Sequence, residues 1–264
     1  MEVVETRCGA ITEQARELAA TNHDVVFACG GDGTVSDVAA GLAGTGVPVG
    51  IIPLGTTNVL AREFGIPLGA LAAFNALRRA TATRALRSWS TGTGTLVLGA
   101  GIGWDAQLMH AASSRWKRRL GFAGLLPLSV SLLARYDFPD LRIEGLDAEG
   151  APVSTRATSV IASNVTRWSG SNVVFPLADP ADELIEVIAI DCRTRAQLAG
   201  FWMAMTVPGG RPTKRSGIQV LPMREVRVSV ASGPPAAVHV NGDAAGHTPL
   251  EIRPAGVVGV LVPQ

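Results

Sequence analysis

The chain has 264 residues, enough for one large domain or two domains of ordinary size. Hydrophobic residues make up 47% of the chain and charged residues only 17%, a composition that excludes disorder of the chain as a whole. The 23 lysines and arginines nearly balance the 22 acidic residues, and the resulting formal charge of +1 argues against a nucleic-acid-binding protein.

Hydropathy and cysteine content indicate an aqueous, reducing compartment. The apolar stretch Val38–Ala61 is interrupted by five glycines and two prolines, so it cannot form one helix. A second stretch, Leu120–Ala134, contains Pro127 and is shorter than the roughly 20 residues of a membrane-spanning helix. The three cysteines are odd in number and lack a C-x-x-C motif, which argues against disulfides and zinc. We therefore expect a soluble, cytoplasmic protein.

The first third of the chain predicts alternating helices and strands. Stretches with helical periodicity separate two short apolar runs, and such runs are typical of buried parallel strands. This alternation favours an α/β sheet with right-handed crossovers. In chain order the predicted elements are helix Ile11–Ala20, strand Asp24–Cys29, helix Val35–Leu42, strand Val47–Ile52, helix Thr57–Phe64 and helix Leu68–Arg79.

Beyond this region most apolar runs predict strands bounded by Gly, Pro and Asn. Two helical stretches, Arg115–Arg135 and Ala196–Met205, interrupt them. We predict an α/β nucleotide-binding domain over residues 1–83 and an antiparallel β-sandwich domain over residues 84–264. The predicted strands are Thr95–Gly99, Ala157–Ala162, Leu184–Asp191, Gly217–Leu221, Val226–Val230, Ala237–Val240 and Val257–Val262.

A glycine-rich loop follows the first predicted strand, with the sequence Cys29-Gly30-Gly31-Asp32-Gly33-Thr34. Glycines let backbone N–H groups approach a phosphate closely, and the following helix N-terminus adds partial positive charge. A carboxylate at this place repels phosphate, so Asp32 implies a Mg²⁺ ion between them. The alternative is a tight strand-to-helix turn capped by Asp32.

A second loop, Pro53-Leu54-Gly55-Thr56-Thr57-Asn58, follows the second predicted strand. Both loops would lie at the carboxyl ends of parallel strands, where open α/β sheets bind their ligands. Its two threonines and its asparagine supply hydroxyl and amide groups for a nucleotide or for the neighbouring loop. The alternative is a helix N-cap.

The segments GGDGTVSDVAAGL and GIIPLGTTNVLAREFGIP resemble the catalytic domain of bacterial diacylglycerol kinases and related lipid kinases, with sphingosine and ceramide kinases as distant members. Later segments match the family in the same order, so the resemblance covers nearly the whole chain. They are Gly101–Ala106 (G-x-G-[FW]-D-A), Lys117–Gly121, Pro176–Val187 (P-x-A-x-x-D-D-G-x-L-D-V) and Val240–Asp243 (V-D-G-E).

The resemblance implies an ATP- and Mg²⁺-dependent kinase that phosphorylates a lipid hydroxyl, such as that of diacylglycerol, at the inner membrane surface. Asp105 would join Asp32 in the carboxylate network around Mg²⁺, and Asp243 would be the general base. From the residues alone, a helix cap for Asp105 and a plain hairpin turn at Asp243 are the alternatives. The ATP site would comprise Thr6, Gly30, Gly31, Asp32, Gly33, Thr34, Val35, Ser36, Asp37, Gly55, Thr56, Thr57 and Asn58.

Family members of the diacylglycerol kinase type also hold a structural Mg²⁺ in the second domain. The resemblance implies that this ion would be bound by the carboxylate of Asp182 and by the backbone carbonyls of Asp179 and Leu184. Glu183 and Glu186 stand where the family has Gly and Asp, and a solvated acidic loop is the alternative.

The chain departs from the family pattern at two further places. In the family a strand and an N-P-x-S-G loop precede the position where this chain starts, and Val3–Thr6 matches the second strand. This implies an exposed sheet edge beside Val3–Thr6 and Val25–Ala28, and association such as a homodimer. In V-D-G-E, Asn241 replaces Asp and Asp243 replaces Glu.

A basic group precedes the apolar stretch near residue 120 and predicts either a patch for an anionic membrane surface or the solvated start of a buried helix. This group is Arg115, Lys117, Arg118 and Arg119. The histidines show no metal-ligand spacing and are predicted to be structural or exposed: His23, His110, His239 and His247.

Two other functions compete with a lipid kinase. NAD kinases share the GGDGT loop, but PLGTTNVLAR and the absence of an N-E dipeptide argue against that activity. A non-catalytic nucleotide- or lipid-binding relative is favoured by the departures from the family pattern.

Overall fold

A computed structural model describes residues 2–7, 9–21, 23–111, 125–168, 172–207 and 209–263. The predicted basic patch at residues 115–119 and the first part of the predicted helix Arg115–Arg135 lie outside these ranges. Among the described helices, none combines the length and the hydropathy that a membrane crossing demands.

The first third of the chain forms the predicted α/β layer. Its elements are α1 (Ile11–Ala19), β1 (Val26–Gly30), α2 (Asp32–Leu42), β2 (Val49–Pro53), α3 (Val59–Glu63) and α4 (Ala70–Leu77). Strands β1 and β2 are parallel, with Val26 opposite Val49 and Gly30 opposite Pro53, and α2 is the crossover between them. Both strands therefore end at the same edge of the sheet, and the two glycine-containing loops start there. The apolar faces pack into one core that includes Leu42, Ile51, Leu60 and Leu77.

The described part of the rest of the chain is rich in antiparallel strands and has three further α-helices. The strands are β3 (Thr83–Ser90), β4 (Thr95–Leu96), β5 (Gly99–Ile102), β6 (Asp140–Asp147), β7 (Pro152–Ala157), β8 (Ser159–Ser163), β9 (Ile185–Ile190), β10 (Ile218–Ser232), β11 (Ala237–Val240), β12 (Asp243–His247) and β13 (Leu250–Leu261). The helices are α5 (Trp104–Ala111), α6 (Leu125–Ala134) and α7 (Arg195–Thr206). The predicted fold class, an α/β layer followed by an antiparallel β-sandwich, is confirmed.

The last strand, β13, connects the two layers. It is antiparallel to β3 along most of its length and to β10 near its start. Near its end Val260 lies opposite Val49 of β2 in parallel orientation. The end of the chain therefore extends the sheet that the first two strands begin, and the division into domains at residue 83 stays a prediction.

Strand β1 is an edge strand of the described sheet. The predicted strand at Val3–Thr6 is wrong, because residues 2–7 lie outside any strand. The side chain of Gln14 explains this position: its Nε2 donates to the carbonyl of Glu5, and its Oε1 accepts from the N–H of Arg7. These bonds tie the segment to α1, and Val3 is left 82% exposed.

Long-range contacts also change the predicted strands of the sandwich. The predicted strand Thr95–Gly99 is interrupted because the N–H groups of Val97 and Leu98 both donate to the side chain of Asn241. The predicted strands 217–221 and 226–230 are one continuous strand, β10, with a register shift near Met223. Strands β3, β6, β7 and β12 were not predicted, since Arg, Ser, Thr and Asp residues weaken their apolar alternation.

Candidate active site

The two glycine-containing loops contact each other through their backbones. A Cβ on Gly55 would lie 2.7 Å from the Cα of Gly31, and a Cβ on Gly31 would lie 3.3 Å from the Cα of Gly55. This approach requires residues without side chains in both loops. A Cβ on Gly33, by contrast, would meet nothing within 4 Å, so the first turn of α2 faces open space there.

The carboxylate of Asp32 links the two loops. It is the first residue of α2, and its Oδ2 accepts a hydrogen bond of 2.8 Å from Thr57 Oγ1. Its Oδ1 accepts from the backbone N–H of Leu60 at 3.2 Å. Two carboxylate oxygens offer about four acceptor positions, so these bonds orient Asp32 without using all of its capacity. The structure thus brings together two motifs that lie 25 residues apart in the chain.

The second loop is closed by the side chain of Asn58. This residue has a left-handed backbone conformation with φ of 46°. Its Nδ2 donates to the carbonyl of Gly55 at 2.8 Å, and its Oδ1 accepts from the N–H of Gly55 at 2.9 Å. Both ends of the amide therefore shape the loop, while Thr56 and Thr57 line a cavity next to it.

A buried pair, Asp105 and His239, lies in the sandwich. Asp105 is in the first turn of α5 and His239 is in β11, and the His239 Nε2 lies 2.7 Å from the Asp105 Oδ2. Strand pairing sets Gly101 of β5 opposite His239, and any side chain at Gly101 would overlap both partners. Sequence reasoning missed the role of His239, although it is the one polar residue in the apolar run of β11.

A cavity of about 680 Å³ joins these parts. Asp32 and Thr57 reach it from the α/β layer, and Asp105 and His239 reach it from the sandwich. Most of the remaining wall is apolar and includes Trp104, Leu108, Met109, Leu133, Trp202 and Met205. Two further apolar residues of the wall, Val130 and Met203, are 61% and 65% exposed, so the apolar surface continues to the outside of the protein.

Asp243, the predicted base, begins β12 and is exposed. Burial and, after it, the charge of Asp243 raise the pKa of Asp37 in α2, so the turn before β12 lies close to α2. Asn241 and Gly242 are among the described residues that line the cavity, whereas Asp243 is not. The amide of Asn241 is bonded at both ends, because Nδ2 donates to the carbonyl of Thr95 and Oδ1 accepts from the N–H groups of Val97 and Leu98.

The predicted ATP-binding residues fall into different environments. Val35 and Ser36 are buried in the α/β layer, with 2% and 1% exposure. Thr34 packs over Gly30, where a Cβ would lie 2.6 Å from the Cβ of Thr34. Thr6 is exposed. The ATP site as a whole stays a prediction. Of its predicted residues, Asp32, Thr56 and Thr57 line the cavity.

Comparison with known protein families decides the assignment. Residues 1–87 match the family described as diacylglycerol kinase catalytic domain. Residues 97–262 match the family described as YegS C-terminal NAD kinase beta sandwich-like domain. The chain belongs to this diacylglycerol kinase and YegS-like family.

Curated relatives agree with the family. A diacylglycerol kinase of Mycobacterium tuberculosis is 28% identical over 273 residues, which cover 96% of this chain and 82% of that protein. A probable lipid kinase YegS-like protein of Pseudomonas fluorescens is 34% identical over 121 residues, or 45% of this chain and 40% of that protein. An uncharacterized protein of Synechocystis is 25% identical over 92% of this chain, which spans only 58% of that relative.

A solved structure supports the fold. The crystal structure of a putative diacylglycerol kinase from Bacillus anthracis superposes with a TM-score of 0.75 at 17% identity. The match covers 98% of this chain and 85% of that chain. At this identity the likeness concerns the arrangement of the two layers and not the chemistry of the site.

The loop that the resemblance connects with a structural Mg²⁺ is held by its own hydrogen bonds. Asp182 Oδ1 accepts from the N–H of Leu184 at 2.8 Å, and the N–H of Asp182 donates to the carbonyl of Asp179 at 3.2 Å. Arg87 Nε donates to the carbonyl of Asp182 at 2.6 Å, and its guanidinium lies 3.5 Å from Glu183. In the described part of the chain no three His, Cys, Asp or Glu side chains form a metal-binding group. This metal site stays a prediction.

Glu186, which stands where the family has Asp, is buried in β9 with 1% exposure. Its Oε2 accepts a hydrogen bond of 2.7 Å from the N–H of Leu177. Burial raises the pKa of Glu186 to about 7, and hydrogen bonds from backbone N–H groups oppose this rise only in part.

Proposed function

We propose that this protein is an ATP- and Mg²⁺-dependent lipid kinase that phosphorylates the hydroxyl of a membrane lipid such as diacylglycerol. The observation that carries the proposal is a cavity whose wall includes the carboxylates of Asp32 and Asp105 and is otherwise mostly apolar. A substrate with a polar headgroup and hydrocarbon chains is complementary to such a wall. Relatives named diacylglycerol kinase and probable lipid kinase support the same class.

The residues of the first loop fit a nucleotide phosphate. Open space at Gly33 adjoins the N-terminus of an 11-residue helix, where backbone N–H groups and the helix dipole favour an anion. In phosphoryl-transfer sites Mg²⁺ is typically bound by one or two carboxylates together with the substrate phosphates, and here Asp32 and Asp105 would supply the carboxylates. When bound, Mg²⁺ would neutralise charge on the transferred phosphoryl group.

The protein's own residues fix these carboxylates before any substrate arrives. Thr57 and the N–H of Leu60 hold Asp32, and His239 holds Asp105. Such preorganisation favours catalysis because the charges need not reorient during the reaction. Asp243 is the proposed base that takes the proton of the lipid hydroxyl, and it would reach the cavity from the turn that Asn241 and Gly242 begin.

The exposed part of the apolar wall suggests how a lipid would enter. Val130 of α6 and Met203 of α7 line the cavity and are exposed, so a bilayer in contact with them would be continuous with the cavity. We infer peripheral association with the inner surface of the cytoplasmic membrane, with the lipid entering between these two helices. Association into a homodimer would be favoured at the edge that β1 forms in the described sheet.

A transfer assay with competing acceptors tests this proposal. The purified chain is incubated with Mg²⁺, ATP labelled in the γ-phosphate, NAD⁺, and mixed micelles that contain dioctanoylglycerol. The proposal predicts label in the lipid fraction, dependent on Mg²⁺ and on dioctanoylglycerol. Label in NADP⁺, or in neither acceptor over a range of lipids with free hydroxyls, would contradict it.

A further inference from the structure

The turn between β11 and β12 is attached to a distant part of the chain by one residue, Asn241. Its backbone N–H donates to the carbonyl of Gly99 at 2.8 Å. Its Nδ2 donates to the carbonyl of Thr95 at 2.8 Å, and its Oδ1 accepts from the N–H groups of Val97 and Leu98, each at 3.0 Å. All of these hydrogen bonds go to one short stretch of chain that runs from β4 into β5.

This stretch, residues 95–99, is here called the connector because it joins the two layers. Its β4 part pairs with β3, which pairs with β13, and β13 continues to β2 of the α/β layer. Strand β5 pairs instead with β8 and β11 in the sandwich. Buried Asn164 also holds the connector, since its Nδ2 donates to the carbonyl of Val97 and its N–H donates to the carbonyl of Leu98. The N–H and carbonyl groups of Val97 and Leu98 are therefore all bonded, which fixes the conformation of the connector.

The same asparagine begins the turn that carries Asp243. Asn241 and Gly242 have φ values of 51° and 86°, and Val240 pairs with Asp243 across them. In two-residue hairpins of this kind Asn-Gly is a preferred sequence, and a glycine at the first position fits as well. The hairpin therefore explains the left-handed backbone at residue 241 but does not require the amide of its side chain.

Both the connector and the turn contribute to the wall of the cavity, through Leu98 and Asn241 among others. The charge of Asp243 acts on Asp37 of α2, the helix whose first residue is Asp32. In phosphoryl transfer, the base and the donor phosphate must be held in position relative to each other to within about 1 Å. Bonds to the connector fix the turn relative to both layers, and so relative to the loop that contains Asp32.

We propose that Asn241 is a positioning residue, whose amide sets the place of Asp243 relative to the two glycine-containing loops by fixing the turn to the connector. This inference rests on the proposed lipid kinase function and on the proposed role of Asp243 as its base. Asn241 acts through Asp243 and does not contact the reacting atoms. An aspartate at this position, as in the family pattern, would still accept from the two N–H groups. Its second oxygen would face the carbonyl of Thr95, where an acceptor is repelled.

The kinetics of Asn241→Gly test this role, because glycine keeps the left-handed backbone and removes only the amide. Values of kcat and KM are measured for ATP and for dioctanoylglycerol in mixed micelles. We expect kcat to fall by about 10- to 100-fold, as for a misplaced catalytic group, while both KM values stay near those of the parent protein. An unchanged kcat in Asn241→Gly, or a loss that appears only in KM, overturns the inference.

Asn75→Gly is the matched control. Asn75 is exposed in α4, so the same substitution weakens a helix of the α/β layer without touching the turn or the connector. It should keep the kcat of the parent protein. A loss of kcat equal to that of Asn241→Gly would mean that any destabilisation slows the reaction, and this result also overturns the inference.

A double substitution tests whether Asn241 acts through Asp243. If Asn241 only places the base, Asn241→Gly should cause little further loss of kcat in a protein that already carries Asp243→Asn, because two residues that act as a unit have non-additive effects. A loss by the same factor in both backgrounds would mean that the amide acts independently of Asp243. The inference is then wrong.

NMR separates the inference from the kinase function. In Asn241→Gly the pKa of the Asp37 carboxyl should fall toward its value in Asp243→Asn, because the turn no longer holds the charge of Asp243 beside α2. Exchange of the N–H groups of Val97 and Leu98 should become faster, while slow exchange in β9, between β8 and β10, shows that the fold is kept. Phosphorylation of the lipid by a parent protein whose Asp37 pKa is unchanged in Asn241→Gly refutes the inference and leaves the kinase function intact. The expected NMR changes in a protein that transfers no phosphate to lipid refute the kinase function and show that Asn241 places Asp243.

Discussion

The Nε2 of His239 lies 2.7 Å from the Oδ2 of Asp105, and the two side chains are among the most deeply buried polar groups on the cavity wall. They lie 134 residues apart in the chain. Pairing of β11 with β5 sets His239 over Gly101, and α5 begins just after β5, so the sheet itself brings the pair together. A carboxylate with so little exposure requires hydrogen-bond partners within the protein, and His239 is one of them.

Removal of the imidazole should therefore destabilise the protein. His239→Leu leaves Asp105 buried without its partner and is expected to lower the free energy of unfolding by about 3 kcal/mol. His239→Gln keeps an N–H donor at a similar reach and should retain most of the stability. Urea unfolding of the three proteins measures the effect. Equal stability of the leucine variant and the parent protein would show that the pair contributes nothing.

The predicted base gives a second test. Asp243 is one methylene shorter than the Glu of the family, so its carboxylate is withdrawn by roughly 1.5 Å, about one carbon–carbon bond. We expect slow lipid phosphorylation, reduced about 10²–10⁴-fold in Asp243→Asn, as is usual when a general base is lost. Asp243→Glu should keep or raise the rate. If Asp243→Asn retains the parent rate in steady-state assays, this residue only forms the turn and the base lies elsewhere.

The position of Asp243 can be checked without activity. Its charge contributes to the raised pKa of Asp37, so Asp243→Asn should lower the pKa of Asp37. An NMR titration of the Asp37 carboxyl in both proteins measures this change. An unchanged pKa would mean that the turn before β12 does not approach α2.

From the raised pKa of Glu186 we predict that the free energy of unfolding depends on pH. Its pKa is about 7 in the folded protein and about 4.5 in the unfolded chain, so folding favours the protonated form. This contribution to stability is complete below pH 4.5 and is lost as the pH rises through about 7, and the total loss is roughly 3 kcal/mol. Glu186→Gln, which stays neutral, should remove this part of the slope in denaturant titrations from pH 5 to 8. An identical slope in the variant would contradict the assignment.

From the contacts of Arg87 we predict that the acidic loop at residues 179–184 keeps its conformation without a metal ion. Its guanidinium bonds to the carbonyl of Asp182 and faces Glu183, and its side chain is only 15% exposed. Arg87→Met should destabilise the protein by about 1–3 kcal/mol, because the loop carbonyl loses a charged donor. EDTA should leave the Tm of the parent protein unchanged. A Tm that falls with EDTA and returns with Mg²⁺ would instead support the structural metal site.

Local patterns were sufficient to predict the α/β layer. The apolar runs that became β1 and β2 end at glycine-containing loops, and a stretch that reads as a helix lies between them, so each element is specified by neighbouring residues. The contacts of β13 with β2 and β3 could not be predicted in this way, because they depend on packing between the two ends of the chain. The same holds for the break between β4 and β5, which the side chain of Asn241 imposes from a distant turn.

In the candidate site, too, some features were predictable from local sequence and others depend on tertiary contacts. The predicted parallel strands put both loops at one edge of the sheet, with the second loop offering hydroxyl and amide groups to a nucleotide or to the first loop. The structure has Thr57 of the second loop hydrogen-bonded to Asp32 of the first. His239 gave only the signal of a polar residue within an apolar strand, which is also typical of a structural histidine. The meeting of Trp104 and Trp202 on the cavity wall has no signal in the sequence, because contact between α5 and α7 is decided by tertiary packing.

The most direct test of the lipid kinase assignment compares the parent protein with Asp32→Asn, a substitution of the same size that removes the charge. Transfer of labelled phosphate from ATP to dioctanoylglycerol is measured with Asp24→Asn as the control, since Asp24 is an exposed aspartate of the same layer. We predict transfer by the parent and control proteins and a loss of at least about 10²-fold in Asp32→Asn, where a preorganised charge is removed. No transfer by the parent protein, or full transfer by Asp32→Asn, would contradict the account.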